Sequence, residues 1–176
     1  MDVSAELKAK LEPIKLLVMD VDGILTNGTL SFLADGTEVK TFSILDGLGL
    51  KLLMQNGVET AIITGRSSPQ VKLRAESLGI NYTQQGREDK LIALQELWER
   101  TGYSASNTAY IGDDLPDLSA IRASQFGATV PNGYWLVRQH ADWISDKPGG
   151  AGAVRELCDL ILAAQGKLDA ALERYL

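Results

Sequence analysis

Leu16-Leu17-Val18-Met19-Asp20-Val21-Asp22-Gly23-Ile24-Leu25-Thr26 is an apolar run that ends in two carboxylates one residue apart. A short continuous apolar run predicts a strand buried on both faces, so Asp20 should emerge at the carboxyl end of a parallel strand, where open α/β sheets place their ligands. In an extended backbone residues i and i+2 face the same side, and Gly23 lets the chain turn away at once, so Asp20 and Asp22 can border one pocket. One carboxylate could attack while the other handles a proton. Two close carboxylates repel, and a hard divalent cation, above all Mg²⁺, relieves that repulsion. Over these residues alone, a plain strand followed by an Asp-rich turn reads the same way.

Outward from this stretch, the pattern is one of alternation. A short amphipathic N-terminal helix gives way near Pro13 to the first strand. Thr29–Leu33 and Glu38–Phe42, around Asp35-Gly36, predict a β-hairpin (an insertion over about 28–42) that projects from the sheet. The stretch from Asp46, as N-cap, to Asn56 reads as a helix, and Val58 to Ile63 reads as the second core strand, closing on Thr64-Gly65-Arg66. Ser67 or Ser68 caps a helix running to Leu78, with Pro69 in its first turn, and Ile80–Thr83 is a brief strand. Glu88 to Arg100 carries a helical apolar stripe, Leu91, Ile92, Leu94, Leu97 and Trp98.

Thr108 to Gly112 reads as a buried strand ending in Asp113-Asp114. Strand and helix then alternate through Phe126–Val130, Gly133–His140 and Ala141–Ile144 to a final helix near 154–165, with a C-terminal helix and tail over about 153–176. The fold class is α/β: one Rossmann-like domain over 1–176, a parallel sheet with helices on both faces.

With 176 residues, 45% of them hydrophobic, the chain suits a single domain with a real core. A formal charge of −6 argues against nucleic acid or an anionic membrane as partner. Cys158 is the only cysteine, so no intrachain disulfide can form, and the charged N-terminus has no apolar segment of the signal-peptide kind. These features suit the cytoplasm. His140 lies on a polar helix end and reads as solvated, while Cys158, among Leu157, Leu160 and Ile161, reads as helix packing.

In a parallel sheet the carboxyl ends of the strands share one edge. Asp20, Thr64 and Asp113 can therefore converge with Lys90, which opens the helix before the last of those strands. Asp20-Val21-Asp22-Gly23, Thr64, Lys90 and Gly112-Asp113-Asp114 resemble, in order and strand context, the four signature motifs of the haloacid dehalogenase superfamily. Ile62-Ile63-Thr64-Gly65-Arg66, Gln85-Gly86, Lys90-Leu91-Ile92-Ala93, Gly112-Asp113-Asp114-Leu115 and Gly152-Ala153-Val154-Arg155-Glu156 are similar to the 3-deoxy-D-manno-octulosonate 8-phosphate phosphatases, over nearly the whole chain.

The resemblance implies that Asp20 is the nucleophile and Asp22 the acid and base, while Thr64 and Lys90 hold the transferring oxygens. It also implies Mg²⁺ on the Asp20 carboxylate, the Asp22 carbonyl and the Asp113 carboxylate, with Asp114 and Asp117 supporting or capping. By the same resemblance, substrate contacts fall on Asp22, Ser43, Ile44, Leu45, Asp46, Gly47, Lys51, Arg66, Arg74 and Lys90. Ser43 stands where relatives often have Asn, and Lys51 where some have Arg. If the helix begins early enough, Arg66 and Arg74 lie two turns apart on it.

No interval leaves room for a separate cap domain, so a lone subunit should have an open site. The family's answer is a tetramer whose neighbours cover each other's sites. Readings left open are a nonulosonate 9-phosphate or other small sugar phosphatase, and a non-catalytic assembly or regulatory module.

Overall fold

The computed structural model describes residues 2–176. In chain order the elements are α1 (Ala5–Leu11), β1 (Leu16–Met19), β2 (Ser31–Phe32), β3 (Glu38–Val39), α2 (Ile44–Gln55), β4 (Glu59–Ile63), α3 (Pro69–Leu78), β5 (Tyr82–Gln84) and α4 (Lys90–Thr101). They continue as β6 (Thr108–Ile111), α5 (Leu115–Ala123), β7 (Phe126–Thr129), α6 (Trp135–His140), β8 (Trp143–Ile144), α7 (Ala153–Ala164) and α8 (Leu168–Leu172). Six strands form one parallel sheet in the order β5-β4-β1-β6-β7-β8, and β2 pairs antiparallel with β3 outside it.

β1 lies between β4 and β6, and none of its four side chains reaches solvent. The pleat explains why an unbroken apolar run is needed there. Leu17 and Met19 join the larger core with residues of α2, α3 and α7, whereas Leu16 and Val18 join the opposite core with Ala93, Leu94 and Leu97 of α4 and Ala120 and Ile121 of α5. Trp98 packs against this second core, and Cys158 is fully buried in the first. His140 is exposed.

Several boundaries differ from the sequence reading. The N-cap of α2 is Ser43, not Asp46: Ser43 Oγ accepts from the amides of Leu45 and Asp46 at 3.2 and 3.4 Å, which frees Asp46 to turn inward. The hairpin strands are shorter than Thr29–Leu33 and Glu38–Phe42. On one side Asn27 Oδ1 captures the Thr29 amide at 3.1 Å, so that donor is used locally and not in the ladder, and on the other Gln70 Nε2 of α3 takes the Glu38 carbonyl at 2.7 Å.

Because α3 starts at Pro69, Arg66 precedes it, and the two-turn relation between Arg66 and Arg74 does not arise. The Ile80 amide returns to the Ala75 carbonyl at 3.0 Å behind the left-handed Gly79, which delays β5 to Tyr82. At the C-terminus, α8 and the turn after it fold onto this chain's own α2, with Lys167 Nζ donating to the Asn56 carbonyl at 2.8 Å and Arg174 to Gln55 at 3.0 Å. Among the described residues no helix is long and apolar enough to cross a membrane.

Candidate active site

The chain leaves β1 for β4 on one side and returns to β6 on the other, so the carboxyl ends of β1 and β6 flank the point where the strand order reverses. Asp20 stands there, its amide bonded to the Ile111 carbonyl at 3.0 Å. The Val21 carbonyl then accepts the amides of Ile24, Leu25 and Thr26 at 3.2, 2.9 and 3.0 Å, which turns the chain sharply. Gly23 is required twice over: its φ is +96°, and a β-carbon on it would collide with the Asp113 carboxylate. A β-carbon on Gly112 would likewise run into Asp117.

Asp117 is the hub beneath the site. It is fully buried; Oδ1 accepts from Lys90 Nζ at 2.6 Å and from the Tyr110 hydroxyl at 2.8 Å, and Oδ2 accepts from the amides of Asp113 and Asp114 at 3.2 and 3.3 Å. Asp114, the N-cap of α5, forms a capping box with it. Lys90, on the first residue of α4, bridges to Asp20 Oδ2 at 2.8 Å. Above this layer opens a cavity of about 340 Å³ lined by Asp20, Asp22, Thr64, Arg66, Lys90 and Asp113, among others.

Carboxylates of Asp20, Asp113 and Asp117 offer oxygens all within 4.8 Å of one another. Burial, then the negative charge of Asp117, pushes Asp20 up to about 6 against the pull of Lys90. Burial, then Asp117 and Asp20, pushes Asp113 up to about 7. Burial works to lower Lys90, but Asp117 and Asp20 together outweigh it and its affinity for the proton is raised. Asp20 Oδ1 and Asp113 Oδ1 are buried and have no hydrogen-bond partner in the protein. Hard, charged oxygens left unpaired in this way fit a small divalent cation such as Mg²⁺, whereas Asp117 has both oxygens engaged.

Groups whose folded pKa lies above the ordinary 3.8 stabilise the fold below about pH 4, and that contribution disappears as pH rises through about 6 to 7. A cation replaces the lost protons, so Mg²⁺ should raise the melting temperature more at pH 8 than at pH 5, by about 5 °C, since about 1 kcal/mol moves a domain of this size by about 2–4 °C. Calorimetry with and without Mg²⁺ at both pH values checks it; equal shifts would place the carboxylate titration below pH 5.

The structure brings Asp20, Asp22, Thr64, Arg66, Lys90 and Asp113 to one cavity. It does not bring Ser43, Ile44, Leu45, Asp46, Gly47, Lys51 and Arg74 there. Asp46 is buried, and its Oδ1 accepts the Arg155 amide at the start of α7 at 2.8 Å. Arg74 donates to the Ser43 carbonyl at 3.0 Å, and Ile44, Gly47, Leu48, Lys51, Arg74 and Leu78 line a separate hollow of about 220 Å³.

Sequence reasoning missed Glu38 and Lys40 as parts of the site. Lys40 Nζ ion-pairs with Asp22 Oδ1, and Glu38 holds Arg66 Nη2 at 2.8 Å. The signal was present in the spacing of Glu38 and Lys40, two residues apart in a stretch the sequence predicts to be extended, which turns both side chains to one side.

The haloacid dehalogenase-like hydrolase family model matches residues 85–157. The chain is 43% identical to the 3-deoxy-D-manno-octulosonate 8-phosphate phosphatase KdsC of Escherichia coli (strain B / BL21-DE3) over 169 residues, 96% of this chain and 90% of that one. Among solved structures it is similar, at 50% identity and a TM-score of 0.96, to the 3-deoxy-D-manno-octulosonate 8-phosphate phosphatase of Moraxella catarrhalis in complex with magnesium, phosphate and KDO, covering 99% of this chain and 100% of that one. A probable YrbI family phosphatase of Pseudomonas syringae pv. phaseolica 1448a matches with the same identity and TM-score over 98% of each chain. At this identity and coverage the chain belongs to the 3-deoxy-D-manno-octulosonate 8-phosphate phosphatase family of haloacid dehalogenase-like hydrolases.

Proposed function

We propose that this chain is a Mg²⁺-dependent phosphatase that hydrolyses 3-deoxy-D-manno-octulosonate 8-phosphate to 3-deoxy-D-manno-octulosonate and phosphate, in lipopolysaccharide biosynthesis. The observation that carries it is the buried Asp20–Lys90–Asp117 arrangement beside Asp22 and Asp113, in a chain half identical to a phosphatase whose structure holds magnesium, phosphate and KDO.

In this reading the Asp20 carboxylate attacks phosphorus and the bond from phosphorus to the sugar oxygen breaks, leaving an aspartyl-phosphate. Asp22 gives that oxygen its proton. Water then attacks the phosphoryl group, Asp22 takes a proton from it, and Asp20 is released. Lys90 and Thr64 hold phosphoryl oxygens, and Arg66, half-exposed at the cavity, meets the anionic sugar acid. The carboxylates of Asp20 and Asp113 and the backbone carbonyl of Asp22 would hold Mg²⁺. Bound there, the ion offsets the negative charge that builds on the phosphoryl group.

Of the remaining contacts assigned by resemblance, Ile44, Leu45 and Lys51 are exposed where a neighbouring subunit can meet them, while Asp46 and Gly47 are buried. Exposed Leu30, Phe32, Leu33 and Val39 on the hairpin, with Ile44 and Leu45 on α2, support a homotetramer in which such neighbours cover open sites. The lone buried Cys158 supports a cytoplasmic location.

A phosphate-release assay with Mg²⁺, across octulosonate 8-phosphate, nonulosonate 9-phosphate and simpler sugar phosphates, tests the reading on the species that sediments as a tetramer. Octulosonate 8-phosphate should lead by about tenfold or more in kcat/KM. A lead for nonulosonate 9-phosphate would reassign the substrate, release from none would leave an assembly module, and a fully active monomer would remove the tetramer.

A further inference from the structure

Lys40 directly follows β3, on a hairpin whose Leu30, Phe32, Leu33 and Val39 are open to solvent, yet its own side chain is only 3% exposed. A buried ammonium is costly unless paired, and this one has two partners: Asp22 Oδ1, and Glu38 Oε1 at 3.1 Å. Glu38 in turn holds Arg66 at 2.8 Å, and its backbone carbonyl accepts from Gln70 Nε2 at 2.7 Å. The base of the hairpin is therefore tied to the cavity wall through Glu38 without help from Lys40. What Lys40 adds is the contact to Asp22.

That contact divides the two oxygens of Asp22. Oδ1 is engaged by Lys40, whereas Oδ2 is buried with no hydrogen-bond partner, Arg66 Nε being 3.7 Å away and out of hydrogen-bond reach. A carboxyl group that delivers a proton along one direction works best when its other oxygen is held, because small misplacement at the reacting centre is expensive in rate.

We propose that Lys40 is a positioning residue for Asp22: by holding Oδ1 it presents Oδ2 to the leaving sugar oxygen and then to the attacking water. The inference rests on the phosphatase reading above, and it makes the hairpin part of the catalytic apparatus of its own subunit.

The test is a double-mutant cycle on the full chain with Mg²⁺ and octulosonate 8-phosphate, with each variant's fold checked by thermal melting. Lys40→Met should lower kcat by about 10²-fold with KM within about twofold, and Lys40→Arg, which keeps a cation on Oδ1, should recover most of that loss. In an Asp22→Asn background Lys40→Met should cost less than about twofold more, since its route to the reaction is already gone.

An additive loss, or Lys40→Met at the unaltered rate, overturns the proposal. If Lys40→Met does not fold, Lys40→Arg decides: a rate within about threefold of the unaltered chain supports the proposal, and a folded Lys40→Arg chain about 10²-fold slower overturns it. An unaltered chain that releases no phosphate overturns the phosphatase reading itself and this inference with it, an outcome distinct from either of the others.

Discussion

Asp20→Asn should abolish phosphate release, by about 10⁴-fold or more, the scale on which removal of a covalent nucleophile acts. The amide keeps the shape of the side chain but cannot form the acyl-phosphate bond. The fold should survive, because Lys90 retains Asp117 at 2.6 Å and burial already disfavours charge at Asp20. The melting temperature without metal should therefore hold or rise. With the unpaired Asp20 oxygen no longer a carboxylate oxygen facing Asp113, stabilisation by Mg²⁺ should fall. Phosphate release measured beside melting with and without Mg²⁺ checks all three, and turnover at the level of the unaltered chain would end the nucleophile assignment.

Asp117→Ala should produce the largest loss of stability in the site, about 3–5 kcal/mol, or a drop in melting temperature on the order of 10 °C. Four donors converge on this carboxylate: the Lys90 ammonium, the Tyr110 hydroxyl and the amides of Asp113 and Asp114. Removal strands the hydroxyl and both amides and leaves the buried ammonium with a single partner, which is far worse than a well-packed apolar substitute for the whole group. Lys90 would then lean wholly on Asp20, so turnover should fall as well, by about 10²-fold. A melting temperature within about 2 °C of the unaltered chain would show that Asp117 is not the hub.

These two residues illustrate what could be read from the chain in advance. Asp20 was legible because an apolar strand and a turn glycine announce it locally, and the resemblance of four spaced motifs then assigns its role. Asp117 reads only as a supporting or capping residue, because nothing in Asp113-Asp114-Leu115-Pro116-Asp117 says that Lys90 and Tyr110 arrive at the same carboxylate. Asp46 shows the opposite error. Its position before a helical stretch suggested an N-cap, yet Ser43 takes that role and Asp46 instead caps α7 across the core, bonding to Arg155, 109 residues away.

By itself the amino-acid order determined the alternation of strands and helices, the parallel sheet with Asp20 at its carboxyl edge, and the meeting of Thr64, Lys90 and Asp113 with Asp20 there, because apolar periodicity, turn chemistry and motif spacing are local properties of a chain. Only the tertiary structure decided that Lys40 closes on Asp22, that Glu38 holds Arg66, that Asp117 gathers four donors, and that Ser43 to Gly47 are not among the residues lining the cavity. Each of these depends on where side chains from distant elements meet. Such meetings are selected by the cost of leaving a buried charge or polar group unpaired, a cost that exists only once the core has closed around it.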